Sequence, residues 1–343
     1  MPRYHLFDVY GIELEYMIVD RDTLAIKSIA DELLKHELGS YGSDFENGIV
    51  TWSNELVLHV IELKSSKPEN DFTALEKGFA DSVSRINKNL AQWNAMLLPG
   101  AAHPFINPLT EVKLWPHDNN EVYELYNQIF DCKGHGWSNL QSTHLNLPFD
   151  GEEEFARLHA AIRLVLPIVP ALCASSPIIG EKRTRWLDTR LHYYKTNQEK
   201  IPSITGSVIP EAVFSKSEYQ KIIYDRIRTD IESYNRGDVL DPIWVNSRGA
   251  IPRFDRGSIE IRLMDVQECP AADLAIQTLV IETIKAFVSE LFIDYQEQTK
   301  WNANSLALIL EQGIELAEGA VITNEDFLRV FGMNAKSCSM QEL

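Results

Sequence analysis

Two glutamates, Glu13 and Glu15, interrupt the otherwise apolar run GIELEYMIVD near the start of the chain. Strand alternation sets both on one face, roughly 7 Å apart along the backbone. Carboxylates that close need compensation from protons, cations or water, so a solvent-facing pair would be trivial and a pair lining a cavity would want metal ions. Three further places repeat the pattern. Glu260 in SIEIR shares its face with Ser258 and Arg262, while Ile259, Ile261 and Leu263 take the other. His144 in STHLN shares a face with Ser142 and Asn146. Glu55 and Glu62 in NELVLHVIE stand seven apart, so an unbroken strand would turn them opposite ways. For both to serve one site, the strand must begin after Glu55 or carry a bulge.

Carboxylates with one imidazole and no thiolate suit Mg²⁺ or Mn²⁺ better than zinc. Such a cage normally means phosphate, usually that of a nucleotide. The chain has no GxxxxGK followed by Ser or Thr and no GxGxxG, which excludes a P-loop or dinucleotide fold. Nucleotide binding would then rest on metals, arginines and backbone. Taken singly, each feature has a plainer reading: a Glu-x-Glu pair as solvated surface, a strand histidine as a hydrogen-bonded core residue, and Glu260 with Arg262 as a same-face ion pair worth a fraction of a kcal/mol.

The elements that must position these residues are legible in outline. Residues 4–20 and Asn54 to Ser66 read as strands. A long helix follows, with Asp71 as N-cap and Pro99-Gly100 as its stop. A shorter helix is expected from Asn119 to Phe130, a strand from Trp137 to Phe149, and an apolar helix over 152–173 kinked by Pro167 and Pro170. Ser258 to Asp265 alternates as a strand, and a helical C-terminal third spans Asp273 to Phe292, Asn304 to Glu318, and a last helix capped by Thr323 or Asn324. Strands separated by helices of unequal length indicate an α+β fold, a mostly antiparallel curved sheet with helices packed on its outer side. Without internal repeats or low-complexity linkers, residues 1–343 read as a single catalytic domain, with a disordered tail over about 333–343.

The bulk properties narrow the class. Of 343 residues, 45% are apolar and 24% charged, as in soluble globular proteins. A net charge of -18 argues against nucleic-acid or anionic-membrane partners, which need clustered Lys and Arg. The cysteines Cys132, Cys173, Cys269 and Cys338 form neither a disulfide framework nor a zinc set. The opening MPRYHLFDVYG is no signal peptide, and AAIRLVLPIVPALCASSP reads as too short and broken to span a bilayer, which points to a cytoplasmic protein.

As a set, these segments resemble the glutamate–cysteine ligase type 2 family of carboxylate–amine ligases, related in fold to glutamine synthetase. GIELEYMIVD resembles its opening G-x-E-x-E strand, and NELVLHVIELKSS its segment of two acidic residues. ASSPIIGEKRTRWLDTR resembles its S-S-P…G…R segment. IWVNSRGAIPRFDRGSIEIRLMDVQECPAADL resembles its most specific stretch, and the matches run in family order across most of the chain. One departure is STHLN, with H-x-N where many broad-specificity members have H-x-H; H-x-N is the form associated with glutamate–cysteine ligases.

The resemblance implies a glutamine synthetase-like catalytic fold and a cluster of Mg²⁺ or Mn²⁺ ions. Glu13, Glu55 and Glu62 would hold one ion, Glu15, His144 and Glu260 the ion nearest the ATP phosphates, and Glu13 with Glu260 a third. Arg262, beside Glu260, would contact the transferring phosphoryl group; Arg248 and Arg190 would meet the donor's carboxylates or the phosphate, with Asn146 also binding substrate. The implied reaction joins L-glutamate to an amine, that of L-cysteine, through an acyl phosphate made with ATP. The same chemistry on another amino acid or amine is the alternative, followed by a metal- or nucleotide-binding relative without turnover. A hydrolase with two carboxylates as acid and base is a distant third, since it leaves His144 and the arginines without a role.

Overall fold

The computed structural model describes residues 3–118, 120–235, 237 and 239–343. Twelve strands occur among the described residues: β1 (Gly11–Asp20), β2 (Asp44–Asn47), β3 (Val50–Asn54), β4 (Val60–Ser65), β5 (Ala95–Leu98), β6 (Ser142–Pro148), β7 (Ile178–Ile179), β8 (Lys182–Arg183), β9 (Ala250–Arg253), β10 (Ser258–Asp265), β11 (Val321–Ile322) and β12 (Cys338–Ser339). Eight form one open sheet in the order β2-β3-β4-β1-β6-β10-β9, with β5 paired to the last residues of β1. Its pairings are all antiparallel, and the helices lie outside it, giving the expected α+β architecture.

One face of the sheet is apolar because the strands alternate in step. Ile12 lies opposite Leu145, and Leu145 opposite Ile261. Ile12, Leu14, Tyr16 and Ile18 pack with Leu33, Leu34, Leu75 and Phe79 of the helices Ala30–Leu38 and Phe72–Leu90. Leu145, Leu147, Ile259 and Ile261 pack with the helices Gly151–Val165, Pro270–Val288 and Ala303–Leu316. A one-residue slip of β1 would expose Ile12, Leu14 and Ile18. At about 1.5–3 kcal/mol for each, that is comparable with a domain's net stability, so the core dictates the register. On the other face, Met17 and Val19 are covered by Val57, Val60, Ile106 and Val112, and the polar residues follow beyond them.

Several boundaries differ from expectation. The first strand begins at Gly11, not residue 4. Asp71 does cap its helix, accepting from the N–H groups of Thr73 and Ala74, but the helix ends at Leu90. Asn94 at φ 52° turns the chain, and Ala95–Leu98 leave the helical pattern to pair with β1, a tertiary override of local propensity. Pro99-Gly100 therefore ends a strand. Trp137 and Ser138 sit in a helical turn, His135–Ser138, and the strand starts only at Ser142. The helix expected from Asn119 is seen over Asn120–Phe130; Asn119 lies outside the described residues. Pro167 does break the apolar helix, which passes through a 3₁₀ turn at Leu166–Ile168 before restarting at Val169. By length and composition Gly151–Cys173 could cross a bilayer, correcting the expectation of too short a run, but 72% of its most apolar window is buried inside the fold. The tail expectation is corrected too. Cys338 pairs with Ile322, the Met340 N–H donates to the Ala320 carbonyl at 2.8 Å, and both Cys338 and Met340 are buried.

Candidate active site

The face opposite the long core helices carries a stripe of charge assembled by register, with Tyr123 of the helix Asn120–Phe130 near Glu55 and Glu62. Glu15 lies directly across from Glu62, Glu13 across from Lys64 on one side and His144 on the other, and Asn146 across from Glu260. Glu13 and Glu15 do share that face. The odd spacing of Glu55 and Glu62 resolves as expected for a strand start: β3 ends at Asn54 and β4 opens at Val60, leaving Glu55 on the intervening loop.

Glu13 is the hub. Its Oε2 lies 2.7 Å from His144 Nδ1, and its Oε1 accepts a hydrogen bond from Asn146 Nδ2 at 3.0 Å. Asn146 can approach because residue 11 is glycine: a Cβ there would sit 3.0 Å from the Asn146 Cβ. Glu15 Oε2 accepts from the Ser142 N–H at 2.7 Å and from its hydroxyl at 3.2 Å, and that hydroxyl is 2.9 Å from His144 Nε2. Glu260 bonds to Arg262 through Oε1, while its Oε2 accepts from Arg253 Nε at 3.2 Å. Lys64 Nζ stands 3.4 Å from Glu62 and 3.1 Å from Asp44.

The electrostatics separate two halves of the stripe. Burial and the nearby Glu15 push Glu55 up to about 8, and burial with Glu13 and Glu55 carries Glu62 well above the usual carboxylate range. Burial also works against charge on Glu260, but Arg262, His144 and Arg253 overcome it and hold the carboxyl well below its ordinary value. On His144 burial opposes protonation, yet the contact with Glu13 and the charges of Glu13 and Glu15 raise it. The Glu55–Glu62 side is thus short of positive charge, and the Glu260 side is matched.

One ligand atom each from Glu13, His144 and Glu260 falls within 4.8 Å of the others. This trio differs from the partition implied by the resemblance, where His144 and Glu260 were grouped with Glu15. Carboxylate oxygens with a single imidazole, and raised acids beside them, fit a hard divalent cation.

Arg190 and Arg248 require correction. Both are 1% exposed. Arg190 Nε pairs with Asp265, and its Nη2 donates to the Leu263 carbonyl at 2.6 Å. Arg248 makes a two-pronged pair with Glu211, Nε–Oε2 2.5 Å and Nη2–Oε1 2.6 Å, while Nη1 donates to Asn246 Oδ1 at 2.9 Å. Arg248 thus spends all three of its nitrogens inside the protein and Arg190 its Nε and Nη2, because burial demands that each charge be matched there. Sequence reasoning missed Arg253, which the β9–β10 hairpin brings across from Ser258, the neighbour of Glu260 on its face. The short PRFDRGS turn between two alternating runs is the signal that would have found it. Ser142 and Lys64 were legible in the same way, as face-mates of His144 and Glu62.

An open antiparallel sheet, with long helices packed on its apolar face, carries a carboxylate–imidazole–arginine stripe on the other. A bifunctional glutathione synthetase from Pasteurella multocida has the same fold, with a TM-score of 0.65 at 13% identity, over 94% of this chain. This chain spans only 44% of that enzyme. The model of glutamate–cysteine ligase family 2 matches residues 9–316, and the chain belongs to that family of ATP-dependent ligases. Among curated relatives, an uncharacterized protein of Archaeoglobus fulgidus is 36% identical over 83% of this chain and 76% of its own length. A putative glutamate–cysteine ligase 2 of Ruegeria pomeroyi is 25% identical over 75% of this chain and 60% of its own.

Proposed function

We propose that this chain, as a single catalytic domain in the cytoplasm acting on small molecules alone, joins the γ-carboxylate of L-glutamate to the amine of L-cysteine at the expense of ATP. The observation that carries the reading is the continuous stripe on which the Glu13–His144–Glu260 trio lies beside Arg262 and Arg253. A carboxylate is a poor electrophile. Transfer of the terminal phosphoryl group of ATP to a carboxylate oxygen, with ADP leaving, makes an acyl phosphate; the amine nitrogen then attacks the acyl carbon, inorganic phosphate departs with that oxygen, and the nitrogen loses a proton.

Charge on the moving phosphoryl group needs fixed positive partners more than covalent help. Arg262 and Arg253 supply it, and Glu260, bonded to both, holds the pair in one orientation. Glu13 fixes the Asn146 amide and the His144 ring through opposite oxygens, so each is held in one orientation, the Asn146 amide toward a substrate carboxylate. Glu13, His144 and Glu260, with Glu15, Glu55 and Glu62 around them, would hold Mg²⁺ or Mn²⁺, which supplies neutralisation of the ATP phosphates. The H-x-N form of the His144 segment supports cysteine as the acceptor.

The test is phosphate release by purified protein with MgATP and L-glutamate, adding L-cysteine, L-2-aminobutyrate, then a panel of amino acids and amines, with mass spectrometry of the products. Release that needs both glutamate and cysteine, with a γ-glutamylcysteine product, is expected. A different amide would move the acceptor and keep the mechanism; no release across the panel would overturn the reading.

A further inference from the structure

β10 contains a bulge at the site's arginine. From Ile261 to Met264 it advances three residues while β6 advances two, from Leu145 to Thr143, so Arg262 and Leu263 together stand against His144. The extra residue sends both Leu263 and Met264 into the core, each 0% exposed, and leaves Arg262 on the charged face. An unbroken strand would have returned Met264 to that face. The bulge also loosens the ladder, and something must hold the freed carbonyls.

That something is Arg190. Its Nη2 donates to the Leu263 carbonyl at 2.6 Å and reaches the Arg262 carbonyl at 3.5 Å, while its Nε pairs with Asp265, the last residue of β10. Asp265 is fixed in turn: Oδ2 accepts from the Ser175 N–H and the Ser176 hydroxyl, both at 2.9 Å, and the Ser176 oxygen accepts from the Arg190 N–H at 3.0 Å. The helical turn Thr189–Tyr194, capped by Asp188, supplies Arg190 at one end. At its other end the Tyr194 hydroxyl donates to the Ser247 carbonyl at 2.9 Å, and Tyr194 lies beside the Arg262 guanidinium.

We propose that Arg190, set by Asp265 and the Ser175–Ser176 pair, is a positioning residue that clamps the β10 bulge and thereby aims Arg262. The role rests on the ligase reading above for its catalytic consequence, but the clamp itself is a statement about the chain. A guanidinium spreads its donors over separate nitrogens in one plane, here Nε to Asp265 and Nη2 to the carbonyls, whereas an ammonium gathers its three donors on a single nitrogen and does not span the same acceptors from the same place.

Two variants test it. Arg190→Lys keeps the charge beside Asp265 and loses the fork, and Arg190→Met with Asp265→Asn removes the buried pair together, leaving Asp188, whose carboxyl burial and Asp265 already push well above its ordinary value. Amide hydrogen exchange is followed over residues 258–265, with steady-state kinetics alongside. The clamp predicts faster exchange at Arg262, Leu263 and Met264 in either folded variant, and a kcat lowered by about 10- to 100-fold with KM for ATP and glutamate within about twofold, because a small misaim of a charge-bearing group acts on the transition state. Unchanged exchange, or unchanged kcat in a variant of wild-type melting temperature, overturns the proposal. So does a raised glutamate KM at constant kcat, which would make Arg190 a substrate receptor. Failure of the ligase reading is distinct: wild-type protein would then bind MgATP without turnover, and exchange alone would decide the clamp.

Discussion

Replacing Glu55 by Gln should stabilise the metal-free protein, and increasingly so as pH rises. Burial and the neighbouring Glu15 raise the Glu55 carboxyl from 4.5 to about 8. Between those values the folded protein holds a proton that the unfolded chain releases, so this group's contribution is fully present below about pH 4.5 and is lost as pH rises through about 8. At about 1.4 kcal/mol per pH unit, the window from 4.5 to about 8 sets a ceiling of about 5 kcal/mol. Because Glu55 is only half-buried and Glu13, Glu15 and Glu62 relax with it, about 2–4 kcal/mol is the expected gain at pH 8. Other groups titrate nearby, His59 held down at about 4 and Asp273 pushed up to about 7 by burial, so the wild-type profile alone is a mixture. The difference between variant and wild type isolates Glu55. Urea unfolding followed by circular dichroism, in half-unit steps from pH 5 to 8 with a chelator, gives it directly. Millimolar MgCl₂ should then stabilise wild type most at pH 8 and Glu55→Gln less. A difference constant with pH to within ~0.5 kcal/mol would refute the crowding of carboxylates on which the argument rests.

Other substitutions probe the rest of the stripe. Glu13→Gln and Glu260→Gln should each abolish turnover in the phosphate-release assay, the first by weakening divalent-ion binding measured by calorimetry, the second also by freeing Arg262 and Arg253; near-normal activity in either would remove that residue from the site. Arg262→Ala should lower kcat by about 100- to 1,000-fold while KM for ATP changes little, as for loss of one fixed charge partner at a transition state. Gly11→Ala should destabilise by about 1–3 kcal/mol in urea unfolding and displace the Asn146 amide from Glu13, since the added methyl meets the Asn146 Cβ at 3.0 Å.

Much of the site was readable along the chain because strand chemistry is local. The alternation of GIELEYMIVD and of SIEIRL reports which side chains share a face, and β10 spans the expected Ser258–Asp265, though the bulge after Ile261 ends the alternation at Met264. The seven-residue offset of Glu55 and Glu62 required a break, and the break is there. Ala95–Leu98 misled, because a short apolar run after a helix carries no sign of whether a strand is waiting to pair with it.

Sequence by itself determined the acidic faces, the helix cap at Asp71, the proline break at Pro167 and the absence of a glycine-rich phosphate loop, since each depends on residue type and a period of two or three to four positions. Only tertiary structure decided what the charged side chains meet. Arg190 and Arg248 look in the sequence like substrate arginines, yet each is buried against a carboxylate far away along the chain, Asp265 and Glu211. Arg253 and Arg262 meet at Glu260 through a hairpin and a bulge. A guanidinium looks the same in a sequence whether it will face a cavity or a buried carboxylate; the register and the cost of burying an unmatched charge choose between them.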